Sequence, residues 1–131
     1  MKLELCAASV TAIQLAKELN FDRIELCENL VQGGITPSAG RIQFAIETGI
    51  ETHVLIRPRP GGFFYSPEEI KVMLADIKFA KSLGAKGVVV GALNNYRAID
   101  EEVLSQFIQA ADGMEVTYHR AFDDGVLDWS K

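Results

Sequence analysis

The sequence predicts a parallel β/α barrel of TIM type that stops after about its fifth strand, and three observations predict it. Five short apolar or β-branched runs alternate with amphipathic stretches, the pattern of crossover units feeding a parallel sheet. The valine run at 88–90 is apolar on both faces, as a strand covered by helices must be. Polar side chains recur at one parity: Leu3 and Leu5 oppose Glu4 and Cys6, while Ile24 and Leu26 oppose Glu25 and Cys27. If the aliphatic set meets the helices, the acids and thiols face the opposite side. An open sheet would need more helices there, whereas a barrel has its interior. The chain has 131 residues, against about 200 to 250 for eight β/α units. It therefore reads as one incomplete domain over 1–131, with no internal boundary.

The first strand is expected at residues 3–6, before a helix over about 9–19 whose Val10, Ile13 and Ala16 recur at helical spacing. The second run, 23–27, leads through a Gly33-Gly34 loop to Thr36-Pro37, where a capping threonine before a proline marks a helix start. That helix carries Ile42, Ala45 and Ile46 and ends at Gly49. A third strand at 52–57 is closed by Pro58, Pro60, Gly61 and Gly62, which forbid regular structure before Tyr65. Ser66-Pro67-Glu68-Glu69 opens the clearest helix, with a capping serine, a first-turn proline and a glutamate placed to complete a capping box. Its apolar stripe is Ile70, Met73, Leu74, Ile77, Ala80 and Leu83, and Gly84 ends it. A fourth strand at 87–91 follows, then a helix over 100–111 with Val103, Leu104, Phe107 and Ile108 inward, then a fifth strand at 115–119. The same alternation sends Leu55, Arg57, Val89, Gly91, Thr117 and His119 into the interior.

Composition narrows the function classes. Hydrophobic residues make up 48% and charged residues 24%, an ordinary globular balance without the run of about 18 apolar residues that a membrane span needs. The start, Met1-Lys2-Leu3-Glu4, lacks the basic-then-apolar layout of a signal peptide, so a cytoplasmic location is expected. A net charge of -5, with 13 basic residues scattered among 18 acidic ones, argues against a nucleic-acid partner. An open half-barrel exposes strand edges, so a homo-oligomer or a complementary fragment is expected to cover them.

Barrel ligand sites lie at the carboxyl ends of the strands, where Cys6, Cys27, Arg57, Gly91 and His119 are expected. Two thiols at matched positions on adjacent strands, with backbones about 5 Å apart, suit one soft metal ion, since thiolates prefer copper(I) or zinc to hard cations. The competing reading makes both cysteines small buried hydrophobes. Glu4 and Glu25 face an interior where carboxylates need a partner or a task. They fit either a buried ion network, with Arg57 and His119 as counter-charges, or a general acid and base. Arg57 and Arg59, beside Gly61, Gly62 and three aromatics, suit an anion clamp on a loop that closes over a small anionic molecule. The Gly33-Gly34 amides offer either an anion contact or a plain turn.

Several of these segments together resemble one family. Asp22-Arg23-Ile24-Glu25-Leu26-Cys27, Gly33-Gly34-Ile35-Thr36-Pro37-Ser38, Ile56-Arg57-Pro58-Arg59 and Val116-Thr117-Tyr118-His119-Arg120-Ala121-Phe122-Asp123 resemble the CutC copper homeostasis family. Glu4-Leu5-Cys6 and the segment 84–93 fit it as well, whereas Asn94-Asn95-Tyr96-Arg97-Ala98 departs from an Asp-Gly turn usual in that family. The resemblance implies a β/α barrel, a cytoplasmic copper-binding role, and Cys6 and Cys27 as candidate copper(I) ligands. The alternative it leaves open is an enzyme acting on a small polar or anionic metabolite, with Glu4, Glu25 and His119 as acid-base groups.

Overall fold

Helix starts are set by short side chains that accept from the first free amides. In the computed structural model, which describes residues 2–118, Ser9 caps α1 (Val10–Glu18) and Asp100 caps α4 (Glu101–Ala111). Ser66 caps α3 (Pro67–Leu83), whose Glu69 returns the bond to the serine amide, so the expected capping box is present. Gly49 and Gly84 end α2 (Ala39–Thr48) and α3 in the left-handed conformation that glycine adopts most readily. One cap is corrected. Ser38, not Thr36, caps α2, because the Thr36 hydroxyl and amide are bonded to the Arg57 backbone just past the end of the third strand.

The strands are β1 (Glu4–Ala7), β2 (Arg23–Leu26), β3 (Glu51–Leu55), β4 (Gly87–Val90) and β5 (Glu115–Tyr118). They form one sheet in the order β1-β2-β3-β4-β5, every pair parallel, with a helix in each crossover after β1, β2, β3 and β4. Sequential parallel order is the barrel pattern; a doubly wound sheet would reverse direction at a switch point.

Strand parity divides the side chains as expected. Ala7, Ile24, Leu26, Val54, Ile56, Val88 and Val90 join the main core against Ile13, Ala16, Ile42, Met73, Ile77, Val103 and Phe107 of the helices. The residues of opposite parity occupy the other face, where Cys27, Leu55 and Val89 form a separate small cluster with Ala8. Two expected helix contacts are not made: Val10, in the first turn of α1, and Ile108, one step off the buried Phe107 of α4, are exposed. Among the described residues, no helix is long and apolar enough to cross a membrane.

Candidate functional site

The inner face of the sheet carries two groups of side chains, one toward each end of the strands. Register fixes the first, at the amino ends. Glu4 pairs with Arg23, and Arg23 with Glu51, while Glu25, His53, Gly87 and Glu115 follow one another two residues further along. Arg23 Nε lies 2.5 Å from Glu4 Oε2, and its Nη1 lies 3.9 Å from Glu51 and 3.7 Å from Glu115. His53 Nε2 is 2.8 Å from Glu51 Oε2 and 4.0 Å from Glu115 Oε2. The hydrogen bond to His53 holds the Glu51 carboxyl below the ordinary carboxylate range. Glu4 therefore sits in an ion network and not at a ligand mouth. Its counter-charge is Arg23, where Arg57 and His119 had been expected; His119 lies outside the described residues.

Glu25 and the two thiols lie further along. Cys6 Sγ approaches Glu25 Oε2 at 3.7 Å. Burial, reinforced by the Glu4 charge, raises the Glu25 carboxyl above its ordinary range, against the pull of Cys6, His53 and Arg23. Cys6 is an exposed residue near the edge of the sheet, and its thiol is raised by partial desolvation and then by Glu25. Cys27 is buried, and burial, with the charges of Cys6 and Glu25, pushes it up to about 11.

The thiols are not level, as matched strand patterns had suggested. Cys6 registers with Glu25, so Cys27 stands two residues further along β2, and the backbones are separated by a diagonal of about 8 Å. Gly34 closes over the buried thiol. A side chain at its φ of 91° would come within 2.9 Å of the Leu55 methyl, 3.4 Å of Cys27 Cβ and 3.5 Å of Cys27 Sγ. The Gly33 and Gly34 amides bond to Leu30 and Asn29 carbonyls, which makes this loop a turn.

The arginines differ most from the sequence expectation. Arg57 is 3% exposed, and its Nη1 donates to the Gln32 and Gly34 carbonyls at 3.1 and 3.0 Å, while Nη2 donates to Gly61 at 2.7 Å. Its guanidinium also lies over the Phe63 ring at 4.9 Å. Arg59 is held by Glu69 at 2.8 Å and by the Gly62 and Phe64 carbonyls, and it stacks on Tyr65 at 4.8 Å. Arg57 thus ties the loops after β2 and β3 together, Arg59 ties the loop after β3 to α3, and neither is arranged as an anion clamp. The buried Tyr65 phenol, pushed up to about 12 by burial against the pull of Arg57 and Arg59, belongs to the same packing.

Parity alone could have found Arg23 and His53, since both share the phase of Glu25 or Leu55. Glu51 and Glu115 were harder to find. Their phase is that of Leu55 and Thr117, but which charges stand level with them is set by the register between strands.

The CutC family profile matches residues 1–130. A CutC family protein of Pasteurella multocida is 46% identical over 124 residues, covering 94% of this chain and 51% of that protein. One of Bacteroides fragilis is 48% identical over 122 residues, covering 92% and 49%. The chain thus spans about half the length of the curated relatives it matches. Its fold is similar to the crystal structure of the CutC protein of Streptococcus agalactiae, a protein provisionally named for copper homeostasis. The TM-score is 0.86 at 38% identity, over 94% of this chain and 61% of that one.

Proposed function

Because the chain belongs to the CutC family of copper homeostasis, we propose that it serves that role in the cytoplasm by binding copper(I) through the thiolates of Cys6 and Cys27. The observation that carries this reading is that the two thiols share the inner face on adjacent strands, close enough for the charge of one to raise the other. A soft, monovalent ion with a low coordination number suits a pair of sulfurs and needs no third donor. The diagonal between them requires both Cβ–Sγ bonds to swing toward each other. The buried pocket around Cys27, formed with Leu55, Val89 and Ala8, keeps water from one side.

Both thiols are protonated at neutral pH, their ionisation being raised, so the ion must displace protons and apparent affinity rises with pH. Titration of copper(I) from a chromogenic chelator into the reduced chain is expected to load about one equivalent and to tighten between pH 6 and pH 8. The Cys6→Ser/Cys27→Ser variant loses that binding. Copper(I) retained by the double variant would overturn the reading.

A second reading has one observation in its favour. Glu25 is half-buried with a raised carboxyl, which would suit it to act as a general acid or base on a small polar substrate. It predicts a metabolite-induced thermal shift that disappears in Glu25→Gln and survives in the double cysteine variant. The arginine clamp has no part in it, since Arg57 and Arg59 hold loops.

A further inference from the structure

The amino-terminal end of the inner face carries a cluster of nitrogen and oxygen donors, chemically unlike the thiols. Among the described residues, one group of three His, Cys, Asp or Glu side chains brings its donor atoms within 4.8 Å of one another: Glu51, His53 and Glu115. We propose that these three residues bind a divalent first-row cation of zinc type, which braces β3 to β5 across β4 at the end of the sheet opposite the usual barrel ligand face.

Geometry supports it first. Ligand atoms about 2.1 Å from a tetrahedral ion stand about 3.4 Å apart, and the imidazole nitrogen lies 2.8 Å from one carboxylate and 4.0 Å from the other. An ion between them needs only a small opening of the first pair and a small closing of the second. One imidazole nitrogen with two carboxylate oxygens is a borderline-to-hard donor set, suited to zinc and its divalent neighbours and poorly suited to copper(I).

The second support is a space made for the imidazole. His53 is 2% exposed, and its ring lies across β4 at Gly87. A Cβ built there would stand 2.5 Å from His53 Nδ1 and 2.8 Å from the Glu115 carbonyl. Only glycine at this register position lets a β3 imidazole reach a β5 carboxylate. The third support is charge. Among the described residues, Glu4, Glu51 and Glu115 face one guanidinium, Arg23, with Lys2 as a further cation near Glu51, so the set stays net negative. Arg23 touches Glu51 and Glu115 only at 3.9 and 3.7 Å and has Glu4 as its short partner. A divalent ion displaces the two long contacts and leaves the short one.

The test titrates zinc(II) into the full reduced chain by calorimetry with copper absent, and follows thermal melting with and without zinc. One equivalent is expected to bind and to raise the melting temperature. Glu115→Gln, at a side chain 59% exposed and therefore safe for folding, weakens binding by at least about tenfold. The double cysteine variant binds zinc as the parent does, which separates this site from the thiol pair. Arg23→Gln, which removes the rival cation, tightens it. Zinc binding that follows the cysteines, binding unchanged in Glu115→Gln, or no binding by the folded parent would each overturn the proposal and leave Glu51, His53 and Glu115 as an ion-pair network alone.

Discussion

The two ends of the inner sheet face are built from the same alternation of side chains and yet do opposite things with charge. At the amino ends, Arg23, Glu4, Glu51, His53 and Glu115 face one another across strands and leave their carboxylates partly exposed. At the carboxyl ends, the guanidinium of Arg57 is buried with both terminal nitrogens donating to backbone carbonyls, beside an apolar cluster of Cys27, Leu55 and Val89. Parity assigns a residue to a face. Height along the strand then decides whether that residue meets another charge or a loop.

The largest test of this contrast is Arg57. If it is a loop tie, Arg57→Ala leaves the Gln32, Gly34 and Gly61 carbonyls without their donors. Unfolding by urea should show a loss of about 3 to 5 kcal/mol. Arg57→Lys recovers only part of it, because an ammonium cannot span the fork. A loss well under about 1 kcal/mol would mean that the guanidinium is free to serve a ligand after all, and would break the contrast.

Gly87 tests the other end. Adding one methyl places it against the His53 ring and the Glu115 carbonyl, and the latter is backbone that cannot rotate away. Gly87→Ala should cost about 1 to 3 kcal/mol and should shift the His53 ring resonances in NMR spectra. An alanine accepted without either change would mean that the imidazole does not lie across β4.

The alternation of elements and the phase of β1, β2 and β4 were legible because runs such as Val88-Val89-Val90 and Leu5 with Ile24 and Leu26 speak for themselves. The capping box at Ser66 and Glu69 was equally local. What sequence could not supply was register. Cys6 and Cys27 close similar strand motifs, but β1 and β2 pair with a stagger that sets Cys6 beside Glu25. The same lack hid the partners of Glu4 and the roles of Glu51 and Glu115, all of which are set by which residues stand level across strands. Arginine beside glycine and proline was read as a clamp because residue type shows what a fork can hold, while the loop path shows what it does hold.

Glu25 sits between the two ends, and it gives the finest test. Its carboxyl is raised by burial and by Glu4, so the folded chain holds that proton more tightly than the unfolded chain does. As pH rises from the ordinary value of 4.5 through the raised one, the folded state loses stability, and above both the penalty is constant. Glu25→Gln removes it. The variant should be more stable than the parent at pH 7 by about 0.5 kcal/mol, with the gain fading as pH falls through the raised carboxyl value and absent below the ordinary one. The same change withdraws the charge that helps raise Cys6 and leaves only a neutral amide oxygen as acceptor, so alkylation of Cys6 at pH 8 should become faster while buried Cys27 stays slow. If Cys6 instead slows, Glu25 promotes the thiolate, and the acid and the thiol must be read as one reactive pair.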